Sequence, residues 1–334
     1  MFAAKMKAVG LGMATLVAVW QPLAPGAFRP ARADMLAPAA EREATFVIGR
    51  ISADLRRSLP RLDLMADYMA AKLGQVGYRK GHGVVVGRLE DMARLLQDGE
   101  IDMVSESPLS AVRLADMTGA EIVLREWKDK VPVYRSVVIV AKNSPVQKIA
   151  DLRGRRIALE DRGSTTGYLL PLAALKAAGL RLVELARPED AVPPDAVGYI
   201  FTQNELNIAT WTARGLVDAG AFSDLDLEDS DRTPKRMRGD LRVIYLSEPV
   251  IRSVALLRRG LPPERREAAL AALKDIAADN AAATVRHEYY RLRRYDDLDA
   301  EALRSLDTVR KALAALGPQS APRAASQAAP SALK

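Results

Sequence analysis

Three consecutive hydroxyl-bearing residues, Ser164, Thr165 and Thr166, are the best candidates for binding a ligand. They stand between a short apolar run, 156–159, and a helical pattern over 169–178. The amides in the first turn of a helix have no partner within the helix and lie at the positive end of its dipole. Hydroxyl groups add further donors there, which predicts an anion-binding pocket. The alternative is that Ser164 or Thr165 only caps the helix.

A second polar corner follows the apolar run 101–104 and consists of Ser105, Glu106 and Ser107. Ligands of open α/β sheets bind beyond the carboxyl ends of the strands, which is where this corner is expected. Ser107 precedes Pro108, and a serine before a proline is also typical of a helix start. We therefore expect Ser107 to cap a helix while Ser105 and Glu106 face a cleft.

Residue types that perform catalysis or bind metals are scarce. The sequence has no cysteine and only two histidines, His82 and His287, and neither has a partner at metal-ligand spacing. The segment Gly-Ser-Thr-Thr-Gly lacks the lysine of a P-loop, and no Gly-x-Ser-x-Gly motif occurs. We therefore expect no catalytic residue, no metal and no cofactor, and predict that the chain is not an enzyme. A phosphate-ester hydrolase is the alternative.

The first 33 residues have the pattern of a secretory signal peptide. Lys5 and Lys7 precede an apolar stretch over 8–20, and Ala-Arg-Ala at 31–33 forms a cleavage site. We predict secretion to the periplasm with cleavage after Ala33, and an uncleaved membrane anchor is the alternative. A secreted chain without cysteine has no disulfides and no lipid-bearing cysteine, which favours a soluble protein held together by its core.

The charge distribution argues against a nucleic-acid partner. The formal net charge is +7, but four positive charges lie in the predicted signal peptide, which leaves +3 for the remainder. Arginine alternates with aspartate and glutamate along the chain, and no basic stripe interleaved with aromatic residues occurs. The remaining positive charge would help only to attract an anion.

Short apolar runs alternate with helical patterns along the chain, which is typical of an α/β sheet covered by helices. The pattern restarts at 137–140 after a polar linker over 127–132, which suggests two series of elements. Two long helices are predicted over 263–291 and 300–316. The end, 317–334, is rich in Ala, Ser, Pro and Gln and is predicted to be a disordered tail.

Four segments occur in the same order as in a known family. They are Tyr-Arg-Ser at 134–136, Asp-Leu-Arg-Gly at 151–154, Gly-Ser-Thr-Thr-Gly-Tyr at 163–168 and Gly-x-x-Asp-Ala-Gly at 215–220. With this order and spacing the chain resembles, over 45–259, the periplasmic phosphate- and phosphonate-binding proteins of the PhnD-like family. The resemblance implies a two-lobed α/β binding protein (type II-like), with a mixed sheet flanked by helices in each lobe and a hinge between the lobes.

The resemblance also implies how the chain is divided and what it does. Lobe 1 would consist of 45–132 and 245–316, and lobe 2 of 133–244. The protein would capture phosphate, phosphite or phosphonate as a periplasmic monomer and present it to an ABC permease of the inner membrane. The alternative is a ligand-sensing accessory protein of the same fold that acts with a membrane sensor kinase.

Two further positions acquire a role through the resemblance. Tyr134 stands where the family often has a hinge tyrosine that donates a hydrogen bond to the ligand, although a packing role is the alternative. Asn204 and Glu205 stand where relatives commonly carry Ser-His, so a carboxylate replaces an imidazole. Glu205 could accept a proton from a protonated oxyanion, pair with the ammonium of an aminophosphonate, or stabilise a helix start capped by Asn204 or Thr202.

Overall fold

Two six-stranded mixed sheets, each flanked by helices, form the two lobes of the protein. The computed structural model describes residues 39–129 and 131–317. The α/β class and the mixed sheet of each lobe are therefore predicted correctly. The predicted signal peptide lies outside the described residues, and so does the predicted tail except for Gly317, which follows the last helix.

The strands and helices have the following bounds in chain order. The strands are β1 (Thr45–Ile51), β2 (Lys80–Val86), β3 (Met103–Glu106), β4 (Glu121–Lys128), β5 (Val133–Tyr134), β6 (Ser136–Ala141), β7 (Arg156–Leu159), β8 (Arg181–Glu184), β9 (Ala196–Phe201), β10 (Ala219–Ser223), β11 (Leu241–Leu246), β12 (Val250–Ile251), β13 (Val254–Leu257) and β14 (Leu292–Asp297). The helices are α1 (Ala39–Glu43), α2 (Leu55–Lys72), α3 (Leu89–Gln97), α4 (Pro108–Thr118), α5 (Leu170–Ala177), α6 (Glu205–Ala213), α7 (Asp224–Glu228), α8 (Lys235–Arg238), α9 (Pro263–Asp275), α10 (Ala283–Glu288) and α11 (Ala300–Leu316).

The first sheet has the strand order β14-β4-β13-β3-β1-β2. Strand β1 is parallel to β2 and β3, whereas β13 is antiparallel to β3 and β4, and β14 is antiparallel to β4. The carboxyl ends of β1, β3 and β4 therefore lie at the same edge as the amino ends of β13 and β14.

The second sheet has the strand order β11-β6-β10-β7-β9-β8. Strands β10, β7, β9 and β8 are parallel, and β6 is antiparallel to β10 and β11. Strand β11 pairs with β6 as far as Leu246, which pairs with Val137. The predicted lobe boundary between residues 244 and 245 is therefore wrong, because it falls inside a strand of the second sheet.

A two-stranded ribbon connects the two sheets. Strand β5 pairs antiparallel with β12, so that Tyr134 lies opposite Val250 and Val133 opposite Ile251. The chain passes from β4 through β5 into β6, and it returns from β11 through β12 into β13. The edges where β4 and β11 end therefore both adjoin the ribbon, which occupies the position of the predicted hinge.

Helix α11 connects the lobes a second time by packing. It contacts α4 of the first lobe, α5 of the second lobe and β12 of the ribbon. One hydrophobic cluster accordingly contains residues of all three helices, including Leu109, Val112, Leu172, Leu306 and Val309. Burial of apolar surface stabilises such a contact by about 25 cal/mol per Å². The two lobes thus share part of one core.

The long helix predicted over 263–291 is wrong in its second half. Helix α9 ends at Asp275, and Asp279 then caps a short 3₁₀ turn by accepting a hydrogen bond from the amide of Ala281 at 2.9 Å. After α10, Tyr290 and Arg291 have φ angles of +50° and +55°. Side-chain-bearing residues rarely adopt this left-handed conformation, and it cannot continue a right-handed helix. The chain turns there into β14, which the sequence patterns did not predict.

No helix within residues 39–129 and 131–317 combines the length and the apolar character needed to cross a membrane.

Gly81 of β2 provides a test of this packing. A Cβ atom at Gly81 would lie 2.1 Å from the backbone carbonyl carbon of Ala66 and 2.1 Å from the amide nitrogen of Asp67, both in α2. Backbone atoms cannot move aside locally, so we expect Gly81→Ala to reduce the free energy of unfolding by about 3 kcal/mol or more. Chemical denaturation monitored by circular dichroism measures the effect. Gly74→Ala is the control because nothing lies within 4 Å of its Cβ, and equal stability of the two variants would contradict the packing.

Candidate ligand-binding cleft

The helix start predicted to bind an anion lies at the edge of the second sheet that adjoins the ribbon. Strand β7 ends at Leu159, and a π-helical turn, Thr165–Leu169, precedes α5. The hydroxyl of Ser164 accepts a hydrogen bond from the amide of Gly167 at 2.8 Å, so Ser164 caps the turn. Single π-helical turns are frequent at functional sites because they displace the backbone from regular helical geometry.

The next two residues present donors at this turn. Within 39–129 and 131–317, no residue accepts a hydrogen bond from the amide of Thr165 or Thr166, nor does one pair with the hydroxyl of Thr166. The hydroxyl of Thr165 is instead engaged, because it accepts a hydrogen bond from the amide of Leu109 at 3.0 Å. Two amides and the Thr166 hydroxyl are therefore available to an anion, whereas Thr165 contributes through its backbone.

The second predicted corner, at the start of α4, contacts this turn directly. Ser107 accepts a hydrogen bond from the amide of Ser110 at 3.3 Å and donates its own to the carbonyl of Gly163 at 2.7 Å. Together with the bond between Leu109 and Thr165, these contacts join the two lobes. Ser107 is thus a helix cap, as predicted, and also part of the contact between lobes.

Contrary to the expectation from the sequence, Ser105 and Glu106 do not face an open cleft. Both residues are buried. The hydroxyl of Ser105 donates to the carboxylate of Glu126, and Glu106 accepts a hydrogen bond from the amide of Ile51 at 2.8 Å. Their side chains therefore connect β3 with β4, across the intervening strand β13, and with the adjacent strand β1.

Tyr134 lies in the ribbon beside the π-helical turn. Burial raises its pKa above the ordinary value for tyrosine, and a side-chain hydrogen bond with Thr165 opposes that shift. Its phenol is therefore placed at the point where the ribbon meets the proposed anion site.

The corner that departs from the family pattern contains a buried ion pair. Asn204 caps α6 by accepting a hydrogen bond from the amide of Asn207 at 2.8 Å. Glu205 is buried and accepts a hydrogen bond from the guanidinium of Arg232. The preceding Gln203 has φ +67°, a left-handed conformation that turns the chain sharply after β9. Glu205 therefore forms a buried ion pair in addition to being the first residue of α6.

Four carboxyl groups gather on this edge of the second lobe: Glu160, Asp161, Glu205 and Asp226. Burial, followed by the charge of Glu205, raises the pKa of Glu160 well above its ordinary value. Burial likewise raises the pKa of Asp161, although the amide of Gly163 opposes the shift. Burial and Glu205 raise the pKa of Asp226 to about 6. The group therefore binds protons more tightly than isolated carboxyl groups do, because burial and the neighbouring carboxylates disfavour its charge.

Sequence reasoning missed Glu160, Asp226 and Arg232. Glu160 directly follows the apolar run 156–159, where turn residues are common, and Asp226 and Arg232 fall in a polar stretch without a periodic pattern. The cluster forms because β7, β9 and β10 end at one edge of the sheet. A signal was present nevertheless, since each of these strands is followed within a few residues by an acidic side chain.

No group of three or more His, Cys, Asp or Glu residues that could hold a metal ion occurs in the part of the chain that the structure describes.

The sequence profile of the family described as "ABC transporter, phosphonate, periplasmic substrate-binding protein" matches residues 52–303. Among curated proteins, the phosphate-import protein PhnD of Mycolicibacterium smegmatis is 25% identical over 224 residues, which is 64% of this chain and 64% of that protein. A putative aliphatic sulfonates-binding protein of Escherichia coli is 34% identical over 120 residues, or 36% of each chain. The chain thus spans less than two thirds of the length of these relatives.

Among solved structures, XAC2383 from Xanthomonas citri has a similar fold over nearly its whole length. The form bound to a chloride ion is 27% identical, with a TM-score of 0.78, and the match covers 81% of this chain and 98% of that one. The same protein bound to ATP gives a TM-score of 0.77 at 26% identity, with coverage of 81% and 97%.

The shifted pKa of Asp226 predicts how stability depends on pH. The folded state binds this proton more tightly than the unfolded chain, so the contribution of Asp226 is most favourable below its ordinary pKa of 3.8 and declines as pH rises to about 6. Asp226→Asn removes the charged form. We therefore expect the variant to gain about 1–3 kcal/mol relative to wild type at pH 7.5, and much less at pH 4.

Thermal unfolding of the ligand-free protein at both pH values measures this difference. Asp231→Asn is the control, because Asp231 is exposed and its substitution removes the same charge from the same segment. A stability difference between wild type and Asp226→Asn that does not change with pH would contradict the assignment.

Proposed function

Since the chain belongs to the family of periplasmic substrate-binding proteins of phosphonate ABC transporters, we propose that it captures an oxyanion of the phosphate, phosphite or phosphonate type in the cleft. It acts as a secreted monomer, processed after Ala33, and passes the ligand to an ABC permease of the inner membrane. Its role is binding rather than catalysis.

The available donors at the π-helical turn are the observation that carries this proposal. The amides of Thr165 and Thr166 and the hydroxyl of Thr166 lie at one helix start, next to the edge that adjoins the ribbon. Oxyanions bind at helix starts because several N–H groups and the helix dipole act on them together. Tyr134 adds a phenol at the same place.

The neighbouring carboxyl groups favour an oxyanion that carries a proton. Burial and the charge of Glu205 raise the pKa of Glu160, so a fully ionised anion is disfavoured beside these carboxyl groups, while Arg232 pairs with Glu205. Monohydrogen phosphate, phosphite and phosphonate monoanions can in turn donate a proton to a carboxylate, whereas sulfate cannot. This difference supports selectivity for the phosphorus oxyanions over sulfate.

The relatives support an anionic ligand without choosing among anions. XAC2383, at 27% identity, binds chloride and ATP in its structures, and the M. smegmatis relative is named for phosphate import. The E. coli relative is named for aliphatic sulfonates. A sulfonate therefore belongs in any binding experiment on this chain.

The mechanism is closure of the two lobes around the oxyanion by bending at the ribbon of β5 and β12. The hydrogen bonds from Ser107 and Leu109 to the loop of Gly163 and Thr165 form only when the edges approach each other. A ligand that binds better to this closed arrangement shifts the population toward it, and the permease then meets the loaded form.

Isothermal titration calorimetry of the mature protein with phosphate, phosphite, methylphosphonate, aminoethylphosphonate, methanesulfonate and sulfate tests the function. We expect binding of at least one phosphorus oxyanion and much weaker binding of the two sulfur oxyanions. Tighter binding of methanesulfonate than of every phosphorus compound would contradict the proposed ligand class.

The hydroxyl of Thr166 is expected to bind the ligand. A hydrogen bond to a charged group contributes on the order of 1.5–3 kcal/mol, so Thr166→Ala should weaken binding of the preferred phosphorus oxyanion by roughly 10-fold to 150-fold. Thr166→Ser keeps a hydroxyl and should retain most of the affinity. Thr308→Ala, on α11, is the control. Equal affinities of wild type and Thr166→Ala, with both variants folded, would leave Thr166 a purely structural role.

Glu205 is expected to contribute to the discrimination against sulfate. Glu205→Gln removes a negative charge beside the site and leaves Arg232 without its carboxylate, so sulfate should bind at least about 10-fold more tightly than to wild type, as expected for a change of about 1.4 kcal/mol. Binding of methylphosphonate should change less. Glu228→Gln is the control because Glu228 also pairs with an arginine of the second lobe, Arg238.

Calorimetry with three ligands separates the possible roles of Glu205. A selective loss of aminoethylphosphonate binding in Glu205→Gln would show that Glu205 pairs with an ammonium group. Unchanged binding of all ligands, with reduced thermal stability, would show that it stabilises only the start of α6. Either outcome would contradict the role in excluding sulfate.

A further inference from the structure

The ring of Tyr290 is surrounded by three cationic side chains at the edge of the first sheet. The guanidinium of Arg50 lies 4.1 Å from the ring centroid, that of Arg61 5.1 Å, and the ammonium of Lys128 5.4 Å. Arg50 stands near the carboxyl end of β1 and Lys128 ends β4, while Tyr290 precedes β14. The strand directions place all three at the edge that adjoins the ribbon and the second lobe.

Two of these cations retain unused hydrogen-bond donors. Arg50 donates one long hydrogen bond, to the carbonyl of Ser105 at 3.4 Å, and within the described residues it has no carboxylate at ion-pairing distance. Arg61 has neither a hydrogen bond nor an ion pair in the same part of the chain. Lys128 differs, because its ammonium lies 3.3 Å from the carboxylate of Glu126. The free donors therefore belong to the two guanidinium groups.

The tyrosine among these cations also has a polar group without a partner. The hydroxyl of Tyr290 is buried, and no residue in 39–129 or 131–317 forms a hydrogen bond with it. Tyr290 and Arg291 have the positive φ angles given above. Unsatisfied buried hydroxyls and left-handed backbone both cost free energy, and such features concentrate at sites that a ligand completes.

The chemistry of the group selects an anionic partner. Burial opposes the charge of Arg50, but Glu106 and the neighbouring tyrosines hold its pKa above the ordinary value, so it remains cationic. A guanidinium offers a planar fork of donors that matches a carboxylate or phosphoryl group, and a phenol adds one more donor. An oxyanion satisfies all of these donors together, whereas an ammonium satisfies none of them.

We propose that Arg50, Arg61 and Tyr290 bind a second anionic group of the ligand, so that the preferred substrates are phosphonates that also carry a carboxylate or a second phosphoryl group. This inference rests on the proposed function, because the second lobe takes the first phosphonyl group at Thr165 and Thr166. The ligand then spans the cleft, with one anionic end on each lobe.

Calorimetry with methylphosphonate, phosphonoacetate, 3-phosphonopropionate and methylenebisphosphonate tests the proposal on the mature protein. We expect at least one of the three doubly anionic compounds to bind 10-fold or more tightly than methylphosphonate. Arg61→Gln and Tyr290→Phe should abolish that advantage and leave methylphosphonate binding within about 2-fold of wild type. The two carboxylates and the bisphosphonate separate the possible second groups.

Arg57→Gln is the matched control, because Arg57 is an exposed arginine of the same helix as Arg61. It removes the same charge. If Arg57→Gln and Arg61→Gln weakened binding of the doubly anionic compounds equally, the effect would be one of long-range electrostatics and the proposal would be overturned. It would also be overturned if methylphosphonate bound as tightly as all three doubly anionic compounds, although the proposed function would then stand. If wild type bound none of the phosphonates, the proposed function and this inference would both be wrong.

Discussion

The chain crosses between its two sheets twice, and this constraint determines where its polar residues meet. Because β4 leads through the ribbon into β6 and β11 returns through it into β13, the same edge of each sheet must adjoin the ribbon. In both sheets that edge holds the carboxyl ends of parallel strands. Polar side chains that follow β1, β3, β7, β9 and β10 are thereby gathered into one region, although they are far apart in sequence.

The cleft edges of the two lobes compensate buried charge in different ways. On the first lobe, Glu126 is fully buried, and Lys128 together with hydroxyl donors from Ser105 and Ser253 holds its pKa below the ordinary value against the effect of burial. On the second lobe, burial and the charge of Glu205 raise the pKa of Glu160, so the charged form of this carboxyl group is disfavoured. A buried charge is tolerated only when it is paired or neutralised. The first edge therefore pairs its buried carboxylate with a cation, whereas the second edge disfavours the charge of its carboxyl groups.

The sequence predicted the parts of this arrangement that depend on local pattern. A short apolar run followed by Ser164, Thr165 and Thr166 indicates a strand, a helix start and hydroxyl donors, and each of these depends only on neighbouring residues. Glu160 could not be predicted in the same way, because its raised pKa arises from burial and from Glu205, which lies on a different strand-to-helix corner. The contact of Ser107 with Gly163 likewise depends on how the lobes pack.

The C-terminal region shows the limit of periodicity most clearly. An alanine-rich helical pattern over 263–291 predicted one helix, yet α9 ends at Asp275. After α10, the left-handed residues Tyr290 and Arg291 turn the chain into β14 and bring an aromatic ring to the edge of the first sheet. Helical propensity is a weak local preference that tertiary contacts can override. Here the contacts are those of the Tyr290 ring with Arg50 and Arg61, whose positions no local pattern specifies.

Thr165 connects the proposed ligand contacts to the contact between the lobes. Its hydroxyl accepts the amide hydrogen of Leu109 from the first lobe and hydrogen-bonds with Tyr134 of the ribbon, while its own amide is one of the donors available to an anion. An oxyanion bound to that amide therefore fixes the same residue that α4 must meet when the edges approach. Helix α11 packs on both lobes, so much of the contact between them exists without that hydrogen bond. A ligand can therefore favour closure only through contacts at the cleft edges. The measured affinity will be lowered by the free energy needed to bring Leu109 and Thr165 together.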